Sequence, residues 1–308
     1  MKKTAKILAV VLCLSLFAGM ALASGESSSD KSKKSVVTSG DSGSKAADQS
    51  SKKGKSSSKK STTTIDPQVL LDKDGIKITA EKYINDSVTG DGVQLLVENN
   101  TDKTYTIGCD ALIVNDYMIT DLFSTDVAPG KKSNATMDLL SSELNAAGID
   151  KIGKIEMYFH AYTTDSMDYL FHNEYSMIQT SDFADMDTTP NDTGSELYNQ
   201  NGIRIVGKTV DEDSFWGTAI LLYIENNSGQ NVDITTDELS VNGYMMDPVF
   251  SATVYNGKKS IDDITLLSSD LEANGIKSID QVELKFNISN PDTYETIAES
   301  DPITFSAK

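Results

Sequence analysis

The chain has 308 residues, with 46 acidic against 27 basic side chains and a net charge of −19. Nucleic acid is a poor partner for that balance, because phosphates are held by Lys and Arg. Only two cysteines are present, Cys13 and Cys109, too few for a disulfide framework.

The first element is a leader. Lys2, Lys3 and Lys6 precede the apolar run "ILAVVLCLSLFAGMALA", which ends in the small-x-small pattern Ala21-Leu22-Ala23. Cleavage is expected after Ala23, so residues 1–23 form a signal peptide and the mature chain has no transmembrane span. Cys13 lies mid-run, behind Leu12, so lipid attachment is not expected. Removing the leader leaves Cys109 alone, and it is expected to be a buried structural thiol.

Residues 24–64 follow as a Ser-, Lys- and Thr-rich spacer. Nine lysines against four acids give it a net of +5, while residues 65–308 carry −27. With almost no large apolar side chains it cannot offset its ordering entropy and is expected to be disordered. Two roles fit it, a soluble tether or a basic contact to the anionic envelope.

Beyond the spacer the chain repeats. Sliding by 127 aligns Leu70–Phe159 with Leu197–Phe286 without a gap, and 36 of those 90 pairs are identical. "DGIKI" meets "NGIRI", "VENN" meets "IENN", "LIVNDYM" meets "LSVNGYM" and "GKKS" meets "GKKS". One domain has been duplicated into a tandem. The expected organisation is a first domain over 65–181, a flexible acidic linker over 182–195 ("DFADMDTTPNDTGS") and a second domain over 196–308.

Within each copy the period is two. In "KIEMYFHAY", Ile155, Met157, Phe159 and Ala161 share one face and Glu156, Tyr158 and His160 the other; Val282, Leu284, Phe286 and Ile288 repeat the apolar face. "GIKITAEKYI", "GVQLLVEN" and "YTIGCDALIVNDYM" also read as strands bounded by Asn, Asp and Gly turns. Seven or eight short strands in about 110 residues predict an all-β fold. It is two tandem Ig-like antiparallel β-sandwiches, each with one short helix, after the spacer. The helix lies in "LLSSELNAAGI", with Ser141 or Ser142 as its cap and Gly148 ending it in a left-handed conformation, and "LLSSDLEANGI" repeats it with Gly275. "APGKKS" and "YNGKKS" read as glycine turns followed by lysines on a solvated strand edge.

The strand ending in "VENNTDKTYTI", the "VAPGKKS" turn and the "LLSSELNAAGI" corner resemble the immunoglobulin-like domains of secreted and lipoprotein-type proteins of Gram-positive bacteria. The resemblance implies an all-β fold in a cell-envelope context and supplies no catalytic residues. The missing lipobox departs from the lipoprotein members.

Chemistry is sparse. His160 and His172 lie symmetrically about position 166 and could face each other across a hairpin turning at "TTDSMD", which is half a metal site at most; a structural zinc needs four ligands. Both are expected at the solvent surface. No GxSxG, HExxH, P-loop or CxxC pattern is present, and "DMDTTPNDTG" fails the EF-hand spacing. The sequence therefore assigns no catalytic, cofactor-binding or metal residue and leaves the binding residues unknown. Trp216 and the scattered tyrosines, among them Tyr162, Tyr169, Tyr175 and Tyr255, do not resolve into a platform. The expected function is non-catalytic: an extracellular protein, secreted or loosely envelope-associated, presenting a surface to an envelope polymer, surface protein or glycan through loops at the sandwich ends. The alternative is a structural stalk or spacer without a ligand. Gly148→Ala should lower stability by roughly 1 kcal/mol or more, read as a lower denaturant midpoint; an unchanged midpoint would contradict the left-handed cap.

Overall fold

Alternating apolar and polar side chains fold into strands that bury the apolar set, and the chain follows this rule almost throughout. The computed structural model describes residues 62–85, 90–214 and 217–306, with the backbone alone at 34–36 and 38–39. All of these belong to one unit, Lys33–Lys308. The leader, most of the spacer and Trp216 lie outside the described residues.

In chain order, β1 (Lys34–Val36) and β2 (Thr38–Ser39) come first. The first copy supplies β3 (Gln68–Lys73), β4 (Ile76–Ile84), β5 (Gly90–Asn99), β6 (Tyr105–Val114), β7 (Tyr117–Ile119), β8 (Ser124–Val127) and β9 (Lys132–Leu140). Helix α1 (Ser141–Ala147) leads to β10 (Lys154–Thr163) and β11 (Tyr169–Gln179). The second copy supplies β12 (Ser195–Gln200), β13 (Ile203–Ser214), β14 (Gly217–Asn226), β15 (Val232–Val241), β16 (Tyr244–Met245), β17 (Ala252–Val254) and β18 (Lys258–Leu267). Helix α2 (Ser268–Ala273) then leads to β19 (Gln281–Ser289), β20 (Thr296–Glu299) and β21 (Ile303–Ser306).

Each copy is a sandwich of two antiparallel sheets, so the fold is all-β and Ig-like. In the first copy β3-β4-β5-β9 faces a sheet built from β8, β7, β6, β10 and β11. The chain crosses between the layers from β5 to β6, returns into β9, and crosses again through α1. The second copy repeats this plan, with β12, β13, β14 and β18 facing β15, β16, β17, β19, β20 and β21. The apolar faces read from sequence are the cores: Ile155, Met157, Phe159 and Ala161 are fully buried, as are Val282, Phe286 and Ile288. Cys109 is a buried free thiol.

The repeated words have separate physical reasons. The first Asn of "VENN" and "IENN" is a buried hub. Asn99 donates to the carbonyls of Lys103 and Val127, both at 2.7 Å, and accepts from Thr101. Asn226 does the same with Gln230, Val254 and Ser228. The Asn of "LIVND" and "LSVNG" adopts positive φ and ties the next corner down. Asn115 bonds Lys151, Gly153 and Lys154, and Asn242 bonds Ser278, Asp280 and Gln281. Neutral side chains thus satisfy loop backbone that burial would otherwise orphan.

The helical corners form as the pattern predicts at their ends but not at their starts. Gly148 is left-handed at φ +76° and its N–H reaches Asn145; Gly275 follows α2 at φ +67°. Neither helix has a side-chain cap, because Leu140 and Leu267 occupy the cap positions. Glu143 instead accepts from the Thr120 N–H at 2.6 Å.

Three expectations are corrected. The spacer contributes strands: β1 adds to β13 and β2 to β21, so these five residues belong to the second copy's sheets. The acidic linker is pinned. Asn191 accepts from Lys208, takes the Tyr117 hydroxyl with its N–H and donates to the Ala146 carbonyl, while Arg204 holds Asp192 and Glu196. Finally, "GKKS" is a solvated edge only in the first copy.

In the second copy the same motif joins the two sandwiches. β18 pairs in parallel with β7, setting Lys259 beside Tyr117 and Ser260 beside Met118, and the Lys259 N–H donates to the Asp116 carbonyl at 2.9 Å. Ten strands thereby form one sheet running through both copies. Lys258 Nζ reaches Asp116 at 2.9 Å and Glu156 at 2.6 Å, and Lys154 reaches the same two carboxylates at 2.7 and 3.2 Å. Glu156, placed by sequence on the polar face, is therefore buried. Tyr117 meets Tyr223 edge to face across the joint.

Lys258→Met leaves buried Glu156 and half-buried Asp116 to one ammonium and should cost about 2–4 kcal/mol in denaturant unfolding. The exposed twin change, Lys131→Met, should stay within about 0.5 kcal/mol. Equal costs would contradict the asymmetry of the motif.

Candidate binding cleft between the copies

The outer face of the β10–β11 hairpin carries the tyrosines that the sequence scattered. The hairpin pairs Tyr158 with Tyr175 and Tyr162 with Tyr169, and positive φ at Asn173 marks the irregular register between them. Tyr158 packs edge-on against Tyr175, with ring centres 5.3 Å apart, and against Tyr255 of the second copy at 4.9 Å. The Tyr255 hydroxyl donates to Asn173 Oδ1 at 3.2 Å, and the Tyr175 hydroxyl donates to Glu156.

Beside this cluster a cleft of about 300 Å³ opens between the copies. Asp110, Met118, Tyr169, His172 and Asn173 line it from the first copy, and Asn231, Thr253, Tyr255, Pro291 and Asp292 from the second. That volume is at the small end for ligand pockets, and domain junctions are where such pockets concentrate. Its field is negative. Burial, followed by the charges of Asp110, Asp292 and Asp233 and the neighbouring Tyr158, pushes the Tyr255 hydroxyl up to about 12.

Of the two histidines expected at the solvent surface only His172 is there, and the two do not pair across the hairpin. His160 is mostly buried, and its Nδ1 lies 2.9 Å from Asp110 Oδ1; His172 is exposed, with Asn173 at 3.0 Å. The Tyr169 ring stands between them, 6.1 Å from His160 and 5.4 Å from His172. Asp110 also accepts the Asn173 N–H at 2.6 Å. Burial opposes ionisation of its carboxyl, but His160 and this N–H outweigh it and lower the pKa. A carboxylate–imidazole pair can orient a general base, yet among the described hydrogen bonds no serine or cysteine side chain completes it. Among the described residues no group of three or more His, Cys, Asp and Glu is gathered to hold a metal. No described helix is long and apolar enough to cross a membrane.

A second cavity of about 330 Å³ lies at the same junction, lined by Thr120, Ser142 and Glu143 of the first copy and by Ser260, Asp262 and Asp263 of the second, among others. Burial pushes the Asp262 carboxyl up to about 6; the Ser260 hydroxyl opposes this and Glu143 adds to it. Asp121, which accepts the N–H groups of Phe123 and Cys109, is also pushed up to about 6 by burial.

No protein-family model matches the sequence, and no curated protein matches it. Among solved structures, the chain is similar to the Salmonella enterica SafA pilin in complex with the SafB chaperone. That likeness has 11% identity, covers 75% of this chain and 95% of the other, and has a TM-score of 0.24. It is also similar to the exo-chitosanase CsxA of Amycolatopsis orientalis, at 14% identity over 66% of this chain and 25% of that one, with a TM-score of 0.22. Superpositions this loose say nothing about activity.

The junction makes a pH prediction. Folded Asp262 keeps its proton up to about pH 6, whereas the unfolded carboxyl loses it near 3.9. The folded chain therefore binds more protons between these values, so the ionised group costs stability above pH 6 and nothing below about pH 4. Asp262→Asn should raise stability by roughly 1–2 kcal/mol at pH 7.5 and change little at pH 4. A gain of equal size at both pH values would contradict the assignment.

Proposed function

We propose that this is an exported, non-catalytic protein of the cell envelope, of the Gram-positive type its turns resemble, which binds an envelope polymer, surface protein or glycan. The observation that carries the reading is the composite cleft. It is lined by both copies, it gathers tyrosines, carboxylates and side-chain amides, and the shared sheet holds its walls in fixed relation. Pre-organised walls lower the ordering cost of binding. The recognition surface is then the junction, not the loops at the sandwich ends. The shared sheet also favours a second reading, a rigid stalk without a ligand.

Binding to purified envelopes, measured at low and high salt, separates the two. Tyr169→Ala and Asp292→Asn both alter exposed side chains and should leave the fold intact. A binder should lose roughly tenfold in affinity with either change, the scale of a hot-spot residue. Unchanged retention of both variants would favour the stalk.

A further inference from the structure

The surface that joins the two copies is written twice in this chain and, among the described residues, used once. Within the chain, β7 meets β18 in parallel. The duplicate of β7 is β16, where Tyr244 and Met245 stand in the places of Tyr117 and Met118. The duplicate of β18 is β9, with Lys131, Lys132 and Ser133 in the places of Lys258, Lys259 and Ser260. β16 ends one sheet and β9 ends another. The second copy thus carries one half of the joint, and the first copy carries the matching half.

Exposure follows the same logic. Tyr117, inside the joint, is 2% exposed, whereas Tyr244 is 51% and Met245 66% exposed. On the other side, Val206 and Tyr223 are covered and belong to the first copy's core cluster. Their twins Thr79 and Leu96 are only half-buried on the face of the four-stranded sheet. Folded sheets usually blunt an open edge with charge, proline or a covering element. β16 instead presents a tyrosine and a methionine.

We propose that β16 of one molecule docks in parallel onto β9 of a second copy of this chain, repeating between molecules the joint found within each. Register places Tyr244 beside Lys132 and Met245 beside Ser133. Lys131 then lies where Lys258 meets Glu156, with Glu283 as its acidic partner. Gly243 and Gln281 replace Asp116 and Lys154, so one ion pair stands in for four. Without that network, and without a covalent link to raise local concentration, the contact is weaker than the internal joint and needs concentrated protein. The two faces differ, so the contact is head to tail and does not close on itself, and its product is a linear string of molecules.

Two measurements on the exported chain test this. Met245→Cys and Ser133→Cys chains, mixed under mild oxidation, should give a disulfide-linked heterodimer, since in-register neighbours meet the distance a disulfide needs. Met245→Cys mixed with Asp72→Cys, an exposed site outside the register, should give roughly tenfold less, the scale by which local concentration favours the paired site. In sedimentation, the mass of the unaltered protein should rise with concentration. Met245→Asp on one face or Lys131→Glu on the other should abolish the rise while leaving the circular dichroism unchanged. A constant monomer mass up to about a millimolar, or equal cross-linking at 133 and 72, would overturn the proposal.

Discussion

Two parallel residue pairs, Tyr117 with Lys259 and Met118 with Ser260, are the constraint on which the rest depends. They turn two sandwiches into one body by letting a sheet pass from the first into the second. A pairing so short needs help. It has the Lys154, Lys258, Asp116 and Glu156 quartet, the Tyr117–Tyr223 contact and the linker residue Asn191 on the Tyr117 hydroxyl. Buried ion pairs often add little net stability, since desolvation consumes the Coulombic gain. Their value here is positional: a slip of one residue would carry Lys258 away and leave half-buried Asp116 and buried Glu156 to the single ammonium of Lys154. The cleft inherits its geometry from that register, because its walls come from both sides of the joint.

The duplication made the fold legible. Many of the identical residues are ones each sandwich needs for itself, the buried asparagine hubs and the glycines that turn left, and the apolar faces keep their period; the Tyr-Met and Lys-Lys-Ser words, equally repeated, serve the joint in one setting. Repetition marks the hubs and glycines and period marks the faces, so a single sequence displays them even though Asn99 and Asn226 reach carbonyls 28 residues away in the facing sheet. The helix caps were misread because serine is a good cap in isolation, while here the preceding leucine takes that position in both copies. The spacer strands were invisible for a different reason. Their partners lie at 209–211 and 305–306, and three residues of weak pattern cannot announce a ladder that distant.

The site was illegible because it lies where the copies differ. Tyr158 stands against Lys285, Tyr255 against Ala128, Tyr223 against Leu96 and Asp116 against Gly243. Each is unremarkable alone. A comparison of the copies for difference, not identity, would have marked several of these positions as belonging to something neither sandwich needs by itself. Glu156 shows the limit of that approach. It matches Glu283, yet one is buried among two ammonium groups and a tyrosine while the other is exposed. Identity of residue does not carry identity of environment once a duplicated surface meets an unduplicated neighbour.

The differences also separate two roles that a repeated joint could confuse. A contact between molecules built on β16 and β9 would carry the adhesive residues, Tyr244, Met245, Lys131 and Lys132, which the chain holds in both copies. It would not carry the aromatic wall, since Lys285 and Ala128 replace Tyr158 and Tyr255. Pairing strands and recognising a ligand are then distinct tasks with distinct residues. However many molecules join, each contributes one cleft, the one inside its own chain, at a spacing set by the sheet that holds it.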